Sequence, residues 1–163
     1  MKSVWVMNLI DNRDNAVNSR EKFERCFARN VVAIGWAGYD PGRGDSAFET
    51  AHSFLAEMQR GDLVWVRNPE TKEQFLCEVL NDKVIPLEHQ RDASVNGMPG
   101  QELHEFDISE GRICEYHSVN DDLLKGVDRN KLVARHTIQH MLHAETIVET
   151  WKIFDGIVAE EKK

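Results

Sequence analysis

The first 80 residues alternate between short apolar runs and stretches with helical periodicity, and this alternation restricts the chain to a mixed α/β fold. Runs rich in β-branched residues begin at Val4, Val31 and Leu63, and each soon reaches polar or turn-forming positions, which is typical of buried strands. Between them, residues 17–29 and 46–58 carry apolar side chains at helical spacing, which predicts two amphipathic helices. We therefore expect the order β-α-β-α-β.

The rest of the chain predicts a hairpin, a long loop, a strand and a final helix. Residues 75–80 follow the third strand after the polar segment 67–72, which predicts an antiparallel pair. Residues 81–111 contain prolines, glycines and charges without periodicity, so we expect a loop with one short strand at most. A later strand is predicted at 113–119. A helix beginning near Ala144 has an apolar stripe made of Ile147, Val148, Trp151, Phe154, Ile157 and Val158.

Composition predicts one folded domain over residues 1–160. With 163 residues, 41% of them hydrophobic and 29% charged, the chain can bury a core without metals or disulfides.

It contains no apolar run of roughly 18 residues and no signal-like N-terminus, so we expect a cytoplasmic protein with no membrane partner. Cys26, Cys77 and Cys114 lie far apart within apolar patterns, which indicates reduced core thiols.

Three fragments resemble the EVE branch of the PUA-like superfamily, which also contains ASCH and YTH domains. They are the residues 5–8 (Trp-Val-Met-Asn), 34–36 (Ile-Gly-Trp) and 61–66 (Gly-Asp-Leu-Val-Trp-Val). The resemblance covers roughly residues 3–80, and the segment 135–138 is similar to the closing segment of such domains. It implies a mixed α+β fold with a small twisted β-barrel flanked by helices. It also implies binding of DNA or RNA that carries a modified base, held by stacking and by hydrogen bonds to its edge.

The resemblance also implies a set of binding residues. Trp36 and Trp65 are expected to stack on the base, with Asn8 and Arg67 at its polar edge. The full base-binding set is Asn8, Gly35, Trp36, Trp65, Arg67 and Asn68. Phosphate contacts are expected from Arg13, Arg20 and Arg43.

Each of these residues also has a purely structural interpretation. Tryptophans are common in ordinary cores, and arginines on a helix often form only a solvated face. A net charge of −8 further opposes non-specific adsorption to nucleic acid. Any nucleic-acid partner therefore requires a local basic patch.

Other functions remain open. The C-terminal stripe could serve a protein partner or a homodimer, and a small metal-dependent hydrolase could use Asp11 and Asp14. His136, His140 and His143 would line one side of a helix, but no fourth ligand is evident and we expect surface histidines. We expect no cofactor, no metal and no catalytic residues, and hence a protein that binds rather than catalyses.

Overall fold

A computed structural model describes residues 2–10, 16–35, 46–134 and 137–163. These residues form a seven-stranded sheet, curled into a half-barrel, and three α-helices. The strands are β1 (Val4–Met7), β2 (Val31–Ile34), β3 (Leu63–Arg67), β4 (Gln74–Val79), β5 (Ile85–Pro86), β6 (Glu110–Val119) and β7 (Ile138–His140). The helices are α1 (Ala16–Ala28), α2 (Ser46–Glu57) and α3 (Ala144–Glu161). The fold is thus the expected small barrel-like sheet flanked by helices.

The sheet has the strand order β2-β6-β4-β3-β1-β7, and β5 pairs with β6 outside this path. β1 and β3 are parallel, whereas the other pairs are antiparallel. The predicted hairpin of β3 and β4 is confirmed by its antiparallel register. Parallel pairing of β1 with β3 requires a long connection, which α1, β2 and α2 supply.

Core residues lie on both faces of the sheet because side chains alternate along each strand. On one face, Val4, Val6, Leu63 and Trp65 belong to the cluster that includes Ile153 of α3. The opposite face carries a cluster of strand residues with members of α1 and α2. The stripe of α3 packs against the first face through Ile147, Trp151, Phe154 and Ile157. Most of the stripe predicted for a partner is therefore covered by the chain's own sheet, whereas Val148 stays exposed.

Residues 81–111 are more ordered than their sequence suggested. They contain β5, an isolated bridge between Arg91 and Glu102 and a 3-10 turn over Leu103–Phe106. β6 also begins at Glu110, three residues before the predicted start. These pieces are too short to produce a periodic pattern.

His140 and His143 do not lie together on a helix face. His140 ends β7, and its ring stacks on Trp5 with centroids 4.3 Å apart. His143 caps α3, where its Nδ1 accepts a hydrogen bond from the Thr146 backbone N–H at 3.3 Å. His136 lies outside the described residues. His140 and His143 thus have structural roles, one at the end of a strand and the other at the start of a helix.

All three cysteines are free and buried. Burial raises the pKa of Cys26 to about 12, so its thiol stays protonated and unreactive at neutral pH. Among the described helices, none combines the length and the apolar character needed to cross a membrane.

Candidate functional site

The ends of β1 and β3 bring three of the predicted base-binding residues together. In this parallel pair Met7 lies opposite Val66, so both strands leave the sheet at the same end. Asn8 follows β1, Arg67 ends β3, and Asn68 begins the loop to β4. All three are half-buried. They form one edge of a candidate site.

Asn68 shapes the hairpin loop at this edge. Its Oδ1 accepts hydrogen bonds from the backbone N–H groups of Glu70 at 2.9 Å and Thr71 at 3.3 Å, as in an Asx turn. Arg20 of α1 reaches the same loop, with its Nε 3.6 Å from Oε2 of Glu70. The side-chain oxygen of Asn68 therefore holds the loop in shape, and Arg20 is exposed beside it.

Gly35 is buried at the end of β2, in direct contact with Asp107. A Cβ atom at position 35 would overlap both the carboxylate and the backbone carbonyl of Asp107, so glycine permits this close approach. Asp107 has φ 60° and ψ 41°, a left-handed conformation that is uncommon for residues other than glycine. Such strained positions cluster at functional sites.

A buried ion pair joins α1 to this corner. Lys22 Nζ lies 3.3 Å from Asp107 Oδ2, and neither side chain has any solvent exposure. Removing two charges from water costs several kcal/mol per ion, and a buried pair is often no better for stability than apolar residues of the same volume. The pair is therefore a candidate for a functional role.

Lys22 also connects the ends of β1 and β2. Its Nζ donates to the backbone carbonyl of Ile10 at 3.3 Å, three residues beyond β1, while Asp107 contacts Gly35 beyond β2. We call Ile10, Lys22, Gly35 and Asp107 the Lys22–Asp107 site. The chain runs from this site into segments 11–15 and 36–45, which lie outside the described residues.

Other buried polar groups lie on the elements that form the site. Ser19 lies one helical turn before Lys22, on the same side of α1, and Ser109 donates its backbone N–H to the Ile34 carbonyl at 2.8 Å. The buried Glu110 carboxylate contacts Nδ1 of His52 on α2.

Trp65 takes no part in this site, which corrects the expectation that it stacks on a base. Its side chain is 0% exposed, and its Nε1 donates to Thr150 Oγ1 of α3 at 3.0 Å. The ring therefore has no free face for a base. This face of β3 is covered by α3.

Several predicted residues fall outside the part of the chain that the structure describes. Trp36, Arg13 and Arg43 lie outside the described residues, as do Asp11 and Asp14, on which the hydrolase alternative depends. Trp36 follows Gly35 directly in the sequence, and residues 11–15 follow Ile10. All of these residues thus belong to segments that follow Ile10 or Gly35 in the sequence.

Sequence reasoning missed both charged members of the site. Lys22 offered one signal, because it lies four residues before the buried Cys26 and next to Phe23, within the apolar side of α1. Asp107 offered none, since it lies in the aperiodic segment 81–111.

Comparisons with known proteins give one short match. No protein-family model matches the chain, and no solved structure matches it. A curated relative, the probable RNA-binding protein EIF1AD of Xenopus tropicalis, is 59% identical over 40 residues, which cover 24% of this chain and 22% of that protein. The chain thus aligns with about a fifth of that relative's length.

Proposed function

We propose that this protein binds nucleic acid by holding a single splayed-out base at the Lys22–Asp107 site, in the manner of an EVE-like reader. The observation that carries the proposal is the fully buried Lys22–Asp107 pair, which contacts Ile10 after β1 and Gly35 after β2. The EVE resemblance draws Asn8 from the end of β1, and Gly35 and Trp36 from the end of β2. The short match to a probable RNA-binding protein makes RNA the first nucleic acid to test.

The proposed pocket uses stacking and edge contacts. Trp36 stacks on the base, which contributes about 1–3 kcal/mol. Asn8 and Arg67, which share one end of the sheet, bond to its polar edge. Lys22 and Asp107 have no solvent exposure and do not touch the base. They hold Gly35 in place from beneath, so that a base modification is recognised by fit against a rigid surface.

Phosphate contacts play a limited part in this proposal. Arg20 is exposed next to the hairpin loop and contacts the backbone of the bound strand together with Arg13 and Arg43. A net charge of −8 limits the number of phosphates that the surface attracts. We therefore expect binding with a shallow salt dependence, because few counterions are released.

The test is an anisotropy titration with short labelled RNA and DNA strands that carry one unmodified or modified base each. The variants are Trp36→Ala for stacking and Arg20→Ala for phosphate contact. Arg60→Ala is the matched control, because Arg60 is exposed but pairs with Asp82 at the other end of β3. We expect Trp36→Ala to weaken binding about tenfold or more, Arg20→Ala to weaken it less, and Arg60→Ala to leave it unchanged.

Two results would contradict the proposal. One is the absence of saturable binding to every strand in the panel. The other is binding that Trp36→Ala leaves intact while increasing salt abolishes it, since that pattern identifies non-specific attraction to phosphates.

A further inference from the structure

Two glutamates and a histidine converge on the face of the sheet that packs against α3. Glu78 of β4 lies directly opposite Glu115 of β6, and His117 is two residues further along β6, hence on the same face. One ligand atom from each of the three side chains lies within 4.8 Å of the other two. The cluster is separate from the Lys22–Asp107 site, whose residues belong to other elements.

The pairing of Glu78 with Glu115 is electrostatically unfavourable on its own. Two like charges directly opposite each other on neighbouring strands destabilise a sheet, and neither Glu78 nor Glu115 has a salt bridge to a cationic side chain among those found between the described residues. A cation bound between the two carboxylates would remove the repulsion.

His117 has the surroundings of a metal ligand. Its side chain is only 4% exposed, and its Nδ1 lies 2.9 Å from Oε1 of Glu161 in the last turn of α3. Its Nε2 is buried without a hydrogen-bond partner among the described residues. Histidines that bind metals commonly donate their other ring N–H to a carboxylate, which fixes the tautomer and the ring orientation. Glu161 occupies that position.

We propose that Glu78, Glu115 and His117 bind a divalent transition-metal ion such as Zn²⁺, with Glu161 orienting the imidazole. Two carboxylates and one imidazole suit Zn²⁺ or Mn²⁺ better than Mg²⁺ or Ca²⁺, which prefer oxygen ligands throughout. The bound ion joins β4 to β6 and, through Glu161, to the end of α3. The three side chains leave the fourth position of the ion to water, and binding of the ion adds to the free energy of unfolding.

A second cluster offers an alternative place for the same metal. His89, Glu102 and His104 also lie within 4.8 Å of one another. A hydrogen bond and an ion pair already explain this group, however. Glu102 Oε2 lies 2.7 Å from His104 Nε2, and Glu102 Oε1 lies 3.6 Å from Arg91 Nη2. The experiment must therefore separate the two clusters.

The test is calorimetric titration of chelator-treated protein with ZnCl₂, together with thermal unfolding with and without the ion. We compare the wild type with Glu115→Gln, Glu161→Gln and the double variant His89→Ala/His104→Ala. Wild type and the double variant should bind Zn²⁺ and unfold at a higher temperature in its presence. Glu161→Gln should weaken binding about tenfold or more, and Glu115→Gln should abolish it.

Glu115→Gln also gives a readout that needs no metal. Because it removes the repulsion with Glu78, it should unfold at the same or a higher temperature than the metal-free wild type. The proposal is wrong if the wild type binds neither Zn²⁺ nor Mn²⁺. It is equally wrong if His89→Ala/His104→Ala abolishes binding while Glu115→Gln retains it, since the metal then occupies the other cluster.

Discussion

Lys22 Nζ lies 3.3 Å from Asp107 Oδ2 in a place where neither side chain meets solvent. Removing one partner of such a pair leaves an uncompensated buried charge, which typically costs about 3–5 kcal/mol. Removing both charges avoids that penalty. The pair is thus a point where stability and ligand binding can be separated by mutation.

We expect Lys22→Met alone to lower the free energy of unfolding by about 3–5 kcal/mol. The double variant Lys22→Met/Asp107→Asn should lose much less than the sum of the two single variants, because neither charge is then left alone. Asparagine suits position 107 because it tolerates the left-handed conformation. Urea unfolding of the four proteins measures the coupling, and strictly additive losses would show that the two groups do not interact. The double variant should also bind a base more weakly than the wild type, because the ion pair no longer fixes Asp107 against Gly35.

Two glycines should respond to alanine in opposite directions. Gly35→Ala places a methyl group against the backbone of Asp107, and such overpacking costs about 1–3 kcal/mol. Gly156 lies within α3, and a Cβ atom there meets no heavy atom of the described chain within 4 Å. Gly156→Ala should therefore raise the free energy of unfolding by about 0.5–1 kcal/mol through helix propensity. Thermal unfolding of both variants checks this, and a neutral Gly35→Ala would refute the close approach.

The sequence predicted the elements whose patterns are local. The strands and helices up to β4 lie within a few residues of their predicted bounds, because each carries its own periodicity. Trp65 shows the limit of this reasoning. Alternation along the strand puts it on the same face as Arg67, and a face that ends in arginine is typically partly exposed. In the structure, α3 covers the tryptophan and leaves the arginine half-buried at the strand end.

The candidate sites depend on contacts that no local pattern records. Lys22 and Asp107 are 85 residues apart in the chain, and His117 is 44 residues from Glu161. Glu78 and Glu115 oppose each other only because β4 and β6 pair in one register. A shift of one residue would turn the side chains of one strand to the other face, so neither site could be derived before the topology was known.

Thr150 should matter for stability because Trp65 depends on it. Thr150→Val removes the acceptor of the buried Trp65 indole N–H, and an unsatisfied buried donor costs about 1–3 kcal/mol. Thr150→Ser keeps the hydroxyl and should cost less. Urea unfolding distinguishes the two variants, and equal losses would mean that the hydrogen bond contributes nothing.

Trp65→Phe should leave nucleic-acid affinity unchanged in protein that remains folded, because the ring lies in the core.

Asp92 should contribute to stability in a pH-dependent way. Burial alone would raise its pKa, but hydrogen bonds from Arg25 at 2.9 Å and Arg29 at 2.6 Å hold the pKa below its ordinary value. A carboxylate whose pKa is lower in the folded state stabilises the protein above its unfolded pKa of about 3.9, and this contribution is lost as the pH falls through the lower folded value. Asp92→Asn should therefore destabilise the protein at neutral pH and have a smaller effect well below pH 3.9 or so. Asp155→Asn, an exposed change in α3, is the control. Urea unfolding across this range measures both variants, and a loss for Asp92→Asn that stays constant with pH would show that its charge is not responsible.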